Sequence, residues 1–219
     1  MAWRNLRLFL LASKKIEPDS VMKKLQGFRF NGTEGINKFE TWREFNEVRF
    51  NYLFVRSRVI KISKLKGREL SEETLRVETV ENVEIHIRSN GVIEAYGSPA
   101  LIEKAMENVS ILGDVEAINF ATSDFNRIMK MADDIRKVKI AGTHDEKITE
   151  VILKGGRLTT SSEFKKFKKE GQVKEIHGKL TLNESAYGFA MTEHEIRFFV
   201  RDPKEDQKDI ELFVTALTS

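Results

Sequence analysis

The chain has no cysteine, which excludes disulfides, thiolate zinc sites and a thiol nucleophile. Histidine is scarce. His86, His144, His177 and His194 are scattered and match no metal-ligand spacing, so neither a metal nor a catalytic imidazole is expected. The three prolines, Pro18, Pro99 and Pro203, all suit the first turn of a helix. No apolar run approaches the ~20 residues of a membrane span. Leu8–Ala12, preceded by Arg4 and Arg7, is short for a signal peptide and is followed by Lys14-Lys15 where small residues belong, so it reads as strand. Gly155-Gly156-Arg157 lacks the Gly-Lys-Ser/Thr of a phosphate loop and reads as a turn. These absences predict a protein with no cofactor, no catalytic site and no membrane partner. A charged fraction of 32% fits a cytoplasmic protein, one from a hot environment.

What is present is organised around Val83–Val109. Val83, Ile85 and Ile87 alternate with Glu84, His86 and Arg88, the period of a strand with one buried face. If Ser89-Asn90-Gly91 forms the turn, Ile87 faces Ile93 and Ile85 faces Ala95, and the apolar face stays continuous; a two-residue Asn-Gly loop would mix the faces. His86 then faces Glu94 as an ordinary cross-strand pair. Ser98 and Pro99 start a helix with Ile102, Ala105, Met106 and Val109 at helical spacing. The unit recurs. Tyr187, Phe189 and Met191, then Ile196, Phe198 and Val200, spell a second hairpin, followed by Asp202-Pro203 with Glu205 as a capping box and a stripe of Ile210, Phe213, Val214 and Leu217.

Between these units the reading is a strand over Trp3–Leu11, a helix from Pro18 to Leu25, and a brief strand at Phe28–Phe30. Residues 36–48 carry no clear period. Arg49–Lys66 is a long strand or a bent pair, and Gly67–Thr74 a polar connection. Val115–Phe120 is a strand. A helix from Thr122 or Ser123 carries Phe125, Ile128, Met129 and Ala132, with Arg136 and Lys137 at its end. Val138–Ile140 and Ile148–Leu153 are strands joined by a turn, Ser161 or Ser162 caps a short helix, and Val173–Leu182 is a strand. The expected fold is α+β, two pseudo-repeated halves of antiparallel sheet backed by helices, 1–112 and 113–219.

This element order, and the segment Ile87–Gly97, IRSNGVIEAYG, resemble the half-repeat of the TATA-box-binding protein family. The resemblance implies a saddle-like arrangement of two halves and a role on DNA. It departs from the family at Arg88, where the family carries a phenylalanine that wedges into the minor groove, so kinking of that kind is not expected.

Charge is unevenly placed: residues 1–70 carry a net +9 and the remainder −6. Arg49–Arg68 holds seven cations, no acid, and three interleaved aromatics. Alternation puts Tyr52, Phe54, Arg56, Arg58, Lys64 and Lys66 on one strand face, where cations would track phosphates and rings stack on bases. Arg49, Tyr52, Phe54, Arg56, Arg58, Lys64, Lys66 and Arg68 are therefore the expected nucleic-acid-binding residues, for DNA or RNA. The competing readings are a solvated strand face and a protein-protein adaptor that docks a partner through its hairpin edges. Lys165, Lys166, Lys168 and Lys169 around Phe164 and Phe167 suit an anion site or, more simply, an anchored surface helix. Asp133, Asp134 and Asp202 could ligate a metal, but helix ends and capping account for them.

Overall fold

A computed structural model describes residues 2–12, 16–42, 46–66, 69–142, 149–202 and 206–218. In chain order these form β1 (Ala2–Leu11), α1 (Pro18–Leu25), β2 (Glu34–Trp42), β3 (Glu47–Lys66), β4 (Glu69–Arg88), β5 (Val92–Tyr96), α2 (Pro99–Val109), β6 (Val115–Ala117), α3 (Thr122–Met131), β7 (Asp134–Ala141), β8 (Glu150–Lys154), α4 (Ser162–Glu170), β9 (Gln172–Leu182), β10 (Ser185–Thr192), β11 (Ile196–Val200) and α5 (Gln207–Thr218). The chain divides into two units, Phe9–Glu116, and Met1–Leu8 with Ala117–Ser219. The first eight residues, read from the sequence with the N-terminal half, thus belong with the C-terminal one.

The Phe9–Glu116 unit is an antiparallel sheet in the order β2-β3-β4-β5. Alternation sends Val48, Phe50, Tyr52, Phe54, Val83, Ile85 and Ile87 to one face, where they form a core with Val21 and Leu25 of α1 and Leu101, Ile102, Ala105, Met106 and Val109 of α2. The β4–β5 hairpin takes the register that continuity of the apolar face requires, Ile85 opposite Ala95 and Ile87 opposite Ile93. Gly91 supplies the positive φ, +90°, that lets a three-residue loop close, and its N–H bonds the Arg88 carbonyl at 3.0 Å. Ser98 precedes α2 as expected, although its side chain makes no capping bond.

The second unit has the antiparallel order β1-β11-β10-β9-β7-β8, with β1 contributing its first residues. Met191 faces Ile196 and Phe189 faces Phe198, as the alternation predicts. Phe198 meets Phe213 of α5 edge-on, centroids 5.1 Å apart. Ser161 caps α4, its hydroxyl accepting from the Phe164 N–H at 3.1 Å. Among the described residues no helix is long and apolar enough to cross a membrane.

Several expectations change. Gly67–Thr74 is not a connection, because β4 starts at Glu69 and pairs with β3 from there on. Residues 36–48 include most of β2, whose register shifts between Ile36 and Phe39 and so breaks the alternation. The segment at Phe28–Phe30 makes only one bridge, Arg29 to Ile36. The strand expected at Val115–Phe120 is confined to β6. Helix α3 ends at Met131, so Arg136 and Lys137 are strand residues of β7 and complement no helix end. The capping box expected at Asp202 and Glu205 falls partly outside the described residues, and α5 starts at Gln207.

Phe50 is 2% exposed in the first core, and Phe50→Ala should cost about 3–5 kcal/mol. In the other unit, a Cβ at Gly178 would stand 2.4 Å from the Asp134 carbonyl oxygen, forcing β7 and β9 apart. Gly178→Ala should cost on the order of 1–3 kcal/mol. Urea unfolding of each variant, followed by circular dichroism, checks both.

Candidate functional site

Strands β3 and β4 pair without a register shift from Glu47↔Arg88 to Lys66↔Glu69. Their neighbours stop much earlier. Pairing of β2 with β3 ends at Glu34↔Phe54, and β5 pairs with β4 only from Glu84 to Ile87. Beyond these points the two strands form an arm with no strand on either outer edge among the described residues, roughly 40 Å long at about 3.3 Å per residue.

A two-stranded ribbon is marginal in water unless its root is held and its cross-strand pairs are good. The root is held by the core described above. Along the ribbon, Asn82 Nδ2 donates to Asn51 Oδ1 (3.1 Å), Arg76 Nε donates to Ser57 Oγ (2.6 Å), and the Ser71 hydroxyl donates to the Lys64 carbonyl (3.2 Å). Apolar side chains remain uncovered. Val59, Ile60, Leu65, Leu75 and Val80 are five of the thirteen large exposed hydrophobics among the described residues, although positions 55–80 are only 26 of 219.

The expected nucleic-acid residues divide. Arg56, Arg58 and Lys64 share one exposed face of the arm, as alternation requires. Tyr52 and Phe54 lie on the same strand face nearer the root, but α2 covers them. Asn108 Nδ2 donates to the Tyr52 hydroxyl at 2.6 Å, and the Lys104 ammonium stands 5.0 Å over the Phe54 ring. Burial, with Glu34 nearby, pushes the Tyr52 hydroxyl above its usual pKa. These rings are 2% and 3% exposed and cannot stack on bases. Arg49 is corrected too: it sits on the opposite face, buried and bonded to Glu47. The side chain of Lys66 and all of Arg68 lie outside the described residues.

The exposed cations meet acids that the sequence did not single out. Arg56 and Arg58 each lie 3.2 Å from the Glu81 carboxylate, and Lys64 pairs with Glu73. Both acids come from β4: Glu81 lies two positions beyond Thr79, which faces Arg56, and four beyond Val77, which faces Arg58, and Glu73 lies two beyond Ser71, which faces Lys64. The signal was available once β3 and β4 were paired from Lys66↔Glu69 onward, because the same period of two then aligns the acids of β4 with the cations of β3. Lys61 faces Thr74, and no carboxylate pairs with it among the described residues.

On the other sheet face near the root, Glu47, Arg49, His86, Arg88 and Glu94 are all buried. Arg88 bonds Glu94, which also accepts from the Tyr96 hydroxyl, and His86 Nε2 lies 2.8 Å from Glu84 Oε1. Arg88 therefore stands enclosed in a polar cluster, where no side chain could wedge between base pairs. In α4, Lys168 and Lys166 lie over the rings of Phe164 and Phe167, with Phe164 buried, the arrangement of an anchored surface helix.

The remaining candidates are occupied. Asp134 accepts from Arg136 Nε (2.9 Å) and the Arg157 N–H (3.0 Å), bonds that hold its carboxyl below the usual range, and Asp133 accepts from Thr181 (2.8 Å). The Asp202 N–H donates to Asp206. His194 Nδ1 lies 2.7 Å from Asn119 Oδ1, and His144 falls outside the described residues. The chain matches no protein-family model and no curated protein.

Glu175 accepts from Lys137 (2.8 Å) and from His177. Its partial burial opposes ionisation, but these bonds and charges outweigh it and hold the carboxyl below its ordinary 4.5. A carboxyl depressed on folding adds stability above its ordinary pKa, and that contribution is lost as pH falls through the depressed value. Glu175→Gln should flatten this part of the acid limb. Thermal melts of both proteins from pH 6 downwards measure the difference, and parallel curves would assign the acid sensitivity to other carboxylates.

Proposed function

We propose that this protein is a non-enzymatic adaptor whose β3–β4 arm docks a protein partner. The observation that carries this reading is a ribbon with two free edges and uncovered aliphatic side chains, on which cations and acids nearly balance. Over residues 55–81, seven lysines and arginines stand against five glutamates. Polynucleotide binding draws its affinity from excess positive charge and counterion release, and two surplus cations supply little of either. Exposed aliphatics on a strand pair are what strand-adding and face-packing partners use.

The expected nucleic-acid function is kept as a second reading, because Arg56 and Arg58 share a single carboxylate and Lys61 has none among the described residues. The likeness to the TATA-box-binding family enters here in the same way. Hairpin β4–β5 is followed by α2 and hairpin β10–β11 by α5, which supports a reading of the halves as pseudo-repeats.

Replacing Ser57–Glu78 by Asn-Gly joins the opposed pair Arg56↔Thr79 through a two-residue turn and leaves the core untouched. The intact chain, purified from its native host, should bring a stoichiometric protein partner and no nucleic acid, and the shortened variant should fold and lose that partner. A partner retained without the arm would overturn the reading. Fluorescence anisotropy with single- and double-stranded DNA and RNA separates the alternative: affinity that falls steeply with salt and vanishes in Arg56→Glu/Arg58→Glu favours the polynucleotide.

A further inference from the structure

Resting on the adaptor reading, we infer that the free edge of β3 takes up an extended acidic segment of the partner as an added strand. Backbone geometry sets the docking line. The Val55 N–H donates outward to the Thr33 carbonyl at 2.7 Å, at the end of the edge that β2 occupies. In an antiparallel ladder alternate residues turn both N–H and C=O to the same side. With no register shift along β3, Ser57, Val59, Lys61, Ser63 and Leu65 therefore present their donors and acceptors on the vacant edge. A partner segment of about ten residues, in line with β2, would satisfy them.

Charge selects the chemistry. From Val48 to Lys66, β3 carries cations and no acid, whereas the outer edge of β4 mixes Arg76 with Glu72 and Glu78. A strand added to β3 lies beside Arg56, Arg58 and Lys64 on one face and Lys61 on the other. Two of these share one acceptor and Lys61 has none among the described residues, so glutamate or aspartate in the added strand supplies the missing carboxylates. Val59 and Leu65, 68% and 71% exposed, flank Lys61 on its face. They favour β-branched residues between the acids.

A second copy of the chain does not fit the same edge. Twofold pairing sets β3 against β3, which places cations opposite a strand that carries cations and no acid. Pairing β3 with β4 of the next copy would repeat roughly every 10 Å, whereas a unit of this size is on the order of 26 Å across.

The test uses the full chain and a fluorescein-labelled decapeptide in which glutamate alternates with valine or threonine. Its controls are the lysine counterpart and an acidic version N-methylated at alternate residues. The acidic peptide should bind, and the two controls should bind at least about tenfold more weakly. Val59→Pro removes one outward N–H without touching the β3–β4 ladder, so it should lower affinity by a similar factor while the urea midpoint stays put. Lys61→Glu/Lys64→Glu should also lose binding. Equal affinity for the methylated peptide, or an indifferent Val59→Pro variant, would overturn the added strand in favour of diffuse charge attraction. If the acidic peptide fails to bind while the shortened arm still abolishes co-purification, the edge assignment falls and the adaptor reading stands; if the shortened arm keeps the partner, both fall.

Discussion

The unbroken register between β3 and β4 is the constraint from which the rest follows. Because side chains alternate strictly along a strand, one slip would move either Phe50 and Tyr52 or Ile85 and Ile87 out of the core and turn Arg49 or His86 towards it. The core therefore fixes the ladder at its root, and the ladder carries that phase outward for another dozen residues where nothing is buried. Arg56 and Arg58 stand on the same strand face as Tyr52 and Phe54 for this reason alone. What separates them is cover: α2 covers Tyr52 and Phe54 through Asn108 and Lys104, whereas Arg56 and Arg58 stay exposed.

The same ladder reinterprets the charge asymmetry of the chain. The division between a net +9 and a net −6 falls at residue 70, at the tip of the arm. The cationic strand and the acid-rich strand that follows it are the two sides of one hairpin. A linear tally sees polarisation where the fold creates neutralisation. Exposed pairs of this kind contribute little to stability, about 0–1 kcal/mol each. Their consequence lies in recognition, because they cancel the long-range field that would draw in a polyanion.

Much of the fold was legible where burial imposes a period. Hairpin β4–β5 and its three-residue turn, hairpin β10–β11, and the start of α2 all follow from apolar spacing and turn chemistry. The failures share a physical origin. In the first half of β4, Leu75, Val77 and Val80 do not keep to one face, since neither face is buried, and only pairing with β3 makes it a strand. In β2 the irregularity between Ile36 and Phe39 hides the period. Arg136 and Lys137 resembled a helix end because α3 gives way to β7 after only two intervening residues. At the candidate site, the cations of β3 were legible as a group, but their partners were not. Nor could local pattern show that α2, some fifty residues later, would cover Tyr52 and Phe54.

A long uncovered edge strand is ordinarily a hazard, since its free N–H and C=O groups template pairing with any other edge. Here each edge carries its own charge character, and this limits which edges can meet. Two β3 edges, rich in cations and without an acid, repel one another. The exposed aliphatics would otherwise drive association of copies, yet they are interleaved with lysine, arginine and glutamate along both strands. An edge guarded in this way stays open to one class of incoming strand, one whose carboxylates relieve the uncompensated cations while its apolar residues cover Val59 and Leu65. Protection against self-association and preference for an acidic partner are thus one physical property of the arm.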